Sequence, residues 1–301
     1  MQSILLWGAD LIVAIQQFQT PWLTASFETF TWFGGHGYLY LVPFVVWCLG
    51  YRLGWQLLLL FVLTAFLNGL LKDWIALPRP YQMDTRILSD GEFGYSLPSG
   101  HAQLVVIYWG MLAAWLQRRW FWVVAVAIMF VMGLSRVYLG VHYPSDVLSG
   151  WLLGALLLWA WLRWAPSAID WLGRQPQALR WRCLLVTTAA LAAIGVLAGG
   201  EASTFAAVGM LLGAGAGMLV AYSALDFGPA ALWQRALRYV LGMVVLLALL
   251  VGLQKLAALT AWPGPVEAFV LLIPLGLWLT VFPLLASALR LERPAPAQPP
   301  V

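Results

Sequence analysis

Residues 121–162 read FWVVAVAIMFVMGLSRVYLGVHYPSDVLSGWLLGALLLWAWL, two apolar runs with the polar stretch SRVYLGVHYPSD lodged between them. Each run approaches the roughly 20 residues that a helix needs to cross a hydrocarbon core about 30 Å thick. The polar stretch therefore falls at a membrane boundary. The rest of the chain repeats the pattern, with apolar runs read at 32–50, 55–71, 102–116, 121–139, 147–162, 183–197, 206–222, 239–253 and 268–285. Of 301 residues, 62% are hydrophobic and only 9% charged, too little charge to cover the surface of a water-soluble fold. An all-α integral membrane protein is expected.

The ends and the middle of the chain differ from the runs. Residues 1–18, MQSILLWGADLIVAIQQF, have no basic n-region and carry Asp10 among apolar residues, which reads as an interfacial amphipathic helix rather than a secretory signal. Residues 166–182 hold two prolines and several arginines and read as a cytoplasmic linker or surface-lying helix. The proline-rich end, 290–301, reads as disordered. The polar motifs fall within 1–165, and 183–289 form a second, more uniformly apolar bundle. Cys48 and Cys183 both lie in apolar runs and give neither a disulfide framework nor metal-ligand spacing.

Lys and Arg concentrate in cytoplasmic loops, so charge orients the spans. Arg52, Arg118, Arg119, Arg163, Arg174, Arg180, Arg182, Arg235, Arg238, Arg290 and Arg293 occupy alternate loops and make up 11 of the 16 basic residues. The opposite side keeps Lys72, Arg79, Arg86, Arg136 and Lys255. An outer N-terminus and a cytoplasmic C-terminus are expected, in the inner membrane of a bacterium.

Three motifs stand at the outer ends of spans: Lys72, six residues, Arg79-Pro80; then Pro98-Ser99-Gly100-His101; then Ser135-Arg136, five residues, His142, three residues, Asp146. They gather three cations, two imidazoles and a carboxylate at one boundary, a set suited to an anionic phosphate. Ser99 is placed to cap the third span, leaving the N–H groups of Gly100 and His101 free for phosphate oxygens at the positive end of the helix. Pro144 suits a first helical turn, with His142 just ahead of it and Asp146 inside it. The carboxylate can then take the proton of one imidazole nitrogen and leave the other free as a nucleophile. The loop 72–98 that joins the first two motifs is long for a compact membrane protein, and its Asp84, Arg86, Asp90 and Glu92 read equally as headgroup contacts or as solvated charge.

KDWIALPRP, PSGH and SRVYLGVHYPSD together resemble the three-part signature of the PAP2 (type 2 phosphatidic acid phosphatase) and vanadium-haloperoxidase superfamily, over about residues 20–165. The resemblance implies a helical core of about five spans behind the N-terminal helix, with the C-terminal bundle of about four spans added to it. It implies His142 as a nucleophile forming a phosphohistidine, Asp146 orienting it, and His101 as the acid and base. Lys72, Arg79, Ser99, Gly100 and Arg136 would hold the phosphate, with no metal or cofactor. A membrane lipid phosphatase or diphosphatase follows, undecaprenyl diphosphate being the first substrate to consider, with no nucleic-acid partner. The alternatives are a lipid-linked phosphotransferase using the same site and a lipid transporter or scaffold built on the C-terminal bundle.

His36, outside any motif, reads as an interfacial histidine, and Trp22, Trp32, Trp120 and Trp181 as interface anchors. Gly209, Gly213 and Gly217 form a small-residue stripe that packs against another span or supports an oligomer.

Overall fold

The computed structural model describes residues 2–221, 231–260, 262–289 and 291. Helices are the regular structure of these residues. They are α1 (Gln2–Gln16), α2 (Pro21–Gly34), α3 (Tyr38–Phe44, continued by a π-helical turn Val45–Leu49), α4 (Tyr51–Ile75), α5 (Pro80–Met83), α6 (Gly100–Leu116), α7 (Arg119–Tyr138), α8 (Pro144–Gly173), α9 (Gln177–Leu197), α10 (Ala202–Ala221), α11 (Leu232–Leu259) and α12 (Gly264–Ala288). Among the described residues seven segments are long and apolar enough to cross a membrane, and α2 with α3 form a pair bent by 45° that makes up to eight. Each of the nine expected spans overlaps a helix, but two depart from a plain crossing. The 32–50 run starts in the last turn of α2, breaks across Gly35–Gly37 and resumes as α3. Helix α6 is a shorter apolar helix of 17 residues.

The stretch 166–182 is helical apart from a turn at 174–176, because α8 continues through Pro166 to Gly173 and α9 begins at Gln177. The tail 290–301, Asp226 and Tyr222 at the end of the seventh run lie outside the described residues, apart from Leu291.

The chain forms two compact units. The first comprises Met1–Tyr38, Thr64–Ala168 and Ala198–Gly200. Its core joins α1, the 84–99 loop and the ends of α6, α7 and α8 through Ala9, Ile12, Ile87, Ala102, Val137, Tyr143 and Val147. Helix α8 approaches α6 at two glycines one turn apart: a Cβ on Gly150 would stand 2.6 Å from the Ser99 carbonyl, and one on Gly154 2.9 Å from the Gln103 carbonyl. That close approach, possible only without side chains, sets the start of α6 beside the start of α8. A backbone bond from Ser99 N–H to the Asp146 carbonyl, 3.0 Å, ties the two starts together.

The second unit comprises Leu39–Leu63, Ile169–Leu197 and Glu201–Val301. Gly209, Gly213 and Gly217 of α10 face Phe269, Ile273 and Thr280 of α12 so closely that a Cβ on any of them would clash. The stripe is therefore packed against another span of the same chain, the first of the two readings given to it. Buried Trp47 donates to the Leu279 carbonyl at 3.0 Å and Tyr51 to the Thr280 carbonyl at 2.9 Å, giving large rings a polar partner inside the bundle. Cys48 is buried and Cys183 half-buried, both as free thiols.

Candidate active site

The three motifs converge in the first unit. Helix α4 carries Lys72 in its last turn, α5 begins after Arg79, α6 begins after Ser99, α7 carries Arg136 in its last turn, and α8 begins two residues after His142. The turn from α7 to His142 passes through Gly140 at φ +69°, where a Cβ would also press on Ile87 and on the Leu88 carbonyl. Only glycine meets both demands. The chain can thus reverse at once and return His142 beside Arg136.

His142 is 1% exposed. Its Nδ1 lies 3.5 Å from Oδ2 of Asp146, and its Nε2 lies 3.3 Å from Nη1 of Arg79. One ring nitrogen therefore faces a carboxylate and the other faces a guanidinium. Burial, and after it the charges of Arg136, Lys72 and Arg79, hold His142 well below the ordinary imidazole value, so the ring is neutral at neutral pH.

Asp146 is placed by two donors, the Tyr143 N–H at 2.9 Å and the Ser96 hydroxyl at 2.5 Å, both on Oδ2. Its Oδ1 is buried without a partner among the described residues. Ser96 was not legible as a site residue. It lies two residues before the PSGH motif, and its Oγ also stands 3.5 Å from His142 Nδ1.

Arg79, 2% exposed, is held on all sides. Its Nε donates to the Gly94 carbonyl at 2.9 Å, its Nη2 to the Phe93 carbonyl at 2.8 Å, and its Nη1 to the Val141 carbonyl at 2.9 Å. Nη1 also bonds Oε2 of Glu92 at 2.9 Å, and Nη2 of Arg136 bonds the same oxygen. Nδ1 of His101 lies 3.9 Å from the other oxygen of Glu92, and Lys72 donates to the Tyr95 carbonyl. A single carboxylate therefore sits where the cations of the three motifs meet. Burial raises Glu92, and the opposing charges of Arg136, Arg79, His101 and Lys72 outweigh it, leaving the carboxyl below its usual range.

The start of α6 differs from expectation in one respect. Ser99 occupies the N-cap position, yet its hydroxyl makes no cap bond and is buried without a partner among the described residues. The turn is braced instead by Asn68 of α4, whose Nδ2 donates to the Pro98 carbonyl at 3.3 Å and to Oε1 of Gln103 at 2.9 Å. His101 packs against the α2–α3 break, where a Cβ on Gly35 would stand 2.7 Å from its Nε2. His36 stacks on Trp32, ring centroids 6.1 Å apart and 17° between planes, and lines a cavity of about 360 Å³ that His101 and Arg136 also line. It is thus part of the site's surroundings. Among the described residues no group of three or more His, Cys, Asp or Glu is arranged to hold a metal ion.

This is a helical membrane protein with a buried histidine–carboxylate pair set against a cluster of guanidiniums, and comparison with known proteins places that class. Residues 53–170 match the PAP2 superfamily, and residues 205–294 match the PAP2 superfamily phosphatase, transmembrane extension. Phosphatidylglycerophosphatase B of Bacillus subtilis is 34% identical over 154 residues, which are 46% of this chain and 72% of the relative. The chain belongs to the PAP2 superfamily. Undecaprenyl-diphosphatase of Sulfolobus acidocaldarius is 35% identical over 106 residues, 35% of this chain and 51% of the relative, so the chain spans about half the length of that protein. A crystal structure of a transmembrane PAP2-type phosphatidylglycerolphosphate phosphatase from Bacillus subtilis aligns with 24% identity over 56% of this chain and 88% of that one, at a TM-score of 0.48.

Proposed function

We propose that the protein removes phosphate from a membrane lipid phosphate through a phosphohistidine on His142. The observation that supports it best is the pair of distances at His142, Nδ1 to Asp146 Oδ2 at 3.5 Å and Nε2 to Arg79 Nη1 at 3.3 Å. A neutral imidazole with its proton on Nδ1, held toward the carboxylate, has its lone pair on Nε2 at the edge of the cationic cluster. Lys72, Arg79, Arg136, the Ser99 hydroxyl and the N–H of Gly100 hold the phosphate oxygens. Nε2 attacks phosphorus, an N–P bond forms, and the P–O bond to the lipid breaks as His101, which takes up a proton when the phosphate's negative charge comes to stand beside it, gives that proton to the leaving oxygen. Water then attacks the same phosphorus, His101 takes its proton, the N–P bond breaks, and orthophosphate leaves. Guanidiniums that pair with the growing charge on the equatorial oxygens supply the electrostatic part of the rate.

The arginine-rich alternate loops support a site on the outer face of a bacterial inner membrane, with the C-terminus in the cytoplasm. Undecaprenyl diphosphate and phosphatidylglycerophosphate are the substrates to which the relatives' names lead. The test is orthophosphate release from purified lipid phosphates in detergent, with a base quench to trap the phosphoenzyme on a ³²P-labelled substrate. Label that is acid-labile and base-stable, present with the natural chain and absent from His142→Ala, is expected. Turnover by His142→Ala near the natural rate would overturn the mechanism. Consumption of substrate without orthophosphate would indicate transfer to another hydroxyl.

A further inference from the structure

The cavity of about 360 Å³ shares His101, Arg136 and Glu92 with the proposed phosphate seat and extends from them to Glu28 and Thr31 of α2, His36, and Asp90 of the long loop. If His101 protonates the leaving oxygen, whatever lies beyond that oxygen enters the chamber that His101 lines. The chamber's chemistry therefore selects the leaving group.

The walls carry three carboxylates, Glu28, Asp90 and Glu92, and Arg136 is the Lys or Arg among the lining residues. Arg136 is already bonded to Glu92, though its Nε is buried without a partner among the described residues. Glu28 and Asp90 are exposed and have no ion-pair partner among the described residues. Arg86, the nearest candidate for a second cation in the loop sequence, is committed to Asp84 and Asp10, each at 2.7 Å. In a diphosphate the atom beyond the leaving oxygen is a second phosphorus with its own charged oxygens. In a monoester it is carbon.

Resting on the phosphatase reading, we infer that this chamber is a headgroup subsite selecting lipid phosphomonoesters, whose leaving alcohol is neutral or carries hydroxyl or ammonium groups, over lipid diphosphates. Glu28 and Asp90 are the specificity-determining residues. Thr31 and His36 offer hydrogen bonds to a hydroxyl, and the two carboxylates repel a second phosphate and attract an ammonium. Because both carboxylates are solvated, screening limits each to a small factor.

The experiment compares initial rates of orthophosphate release from phosphatidate and from diacylglycerol pyrophosphate bearing the same acyl chains, by the full-length protein in detergent. The natural chain is expected to favour phosphatidate in kcat/KM. The double variant Glu28→Gln, Asp90→Asn is expected to narrow that ratio by ~3- to 10-fold, chiefly through a lower KM for the diphosphate, as two screened charges are removed. Preference for the diphosphate, or a ratio unmoved by the double variant, overturns the subsite while leaving the phosphatase reading intact. Orthophosphate from neither lipid, and none from phosphatidylglycerophosphate or undecaprenyl diphosphate assayed beside them, overturns the phosphatase reading, and the subsite with it.

Discussion

Glu92 and His142 share one nitrogen of Arg79: Nη1 bonds the carboxylate at 2.9 Å and stands 3.3 Å from the imidazole Nε2. The carboxylate thus lies beside the position a phosphoryl group must take to be attacked, bonded to guanidiniums that group would need. On the proposed mechanism, entry of a phosphate displaces it. The variant Glu92→Gln removes the charge that contests the seat, and the inhibition constant of inorganic phosphate or vanadate is expected to fall by about tenfold, the scale of one charge-assisted bond. An unchanged or weaker constant would show that Glu92 supports anion binding instead.

Ser96 donates to Asp146 Oδ2 at 2.5 Å, and that oxygen is also the one His142 Nδ1 faces. Ser96→Ala leaves the buried carboxylate with one donor fewer and its orientation less fixed. A drop in kcat of ~10-fold with little change in KM is expected, consistent with one lost bond to a charged group that positions the nucleophile. Ser96→Thr, which keeps the hydroxyl, should recover part of the loss. Equal losses in both variants would point to packing alone.

The low basicity of His142, caused first by burial and then by Arg136, Lys72 and Arg79, has a kinetic sign. A nucleophile must be unprotonated, and a value pushed downward keeps it so as the solution is made more acidic. The acidic limb of kcat/KM, which reports the free enzyme, should therefore lie below the ordinary histidine value of about 6.5. A limb centred there, moving on replacement of Arg136, would show that His142 titrates as if it were in water.

Sidedness joins the charge pattern to the site. In a Cys48→Ala, Cys183→Ala background, Ser89→Cys in the long loop is expected to react with a membrane-impermeant maleimide in intact spheroplasts. Gln117→Cys, exposed at the end of α6 beside Arg118 and Arg119, is expected to react only after the membrane is opened. The reverse pattern would place the site in the cytoplasm.

What the sequence disclosed and what it withheld divide along a physical line. Apolar runs and the three motifs are local, and α4, α6, α7 and α8 present Lys72, His101, Arg136 and Asp146 at the ends where those motifs fall. Glu92 was ambiguous because its meaning depends on Arg136, 44 residues away, and Ser96 was hidden because its partner Asp146 lies 50 residues away. A hydroxyl or carboxylate in a loop has no periodicity to betray its partner. The break at Gly35–Gly37 was hidden for another reason: hydropathy sums over a window, and aromatic residues on both sides keep the sum high where the helix stops. The capping role expected of Ser99 failed because Asn68, on another helix, braces that turn.

Gln16, near the end of α1, donates through Nε2 to the Leu88 carbonyl at 2.8 Å and to the Tyr138 carbonyl at 3.0 Å, and accepts the Leu88 N–H at 2.9 Å. One side chain thereby fastens the loop bearing Glu92 to the end of the helix bearing Arg136. The first helix is consequently not an exchangeable module. A chimera that grafts the opening residues of another superfamily member onto this chain must bring that member's counterpart of residues 84–92 as well, because the two segments are halves of a single joint.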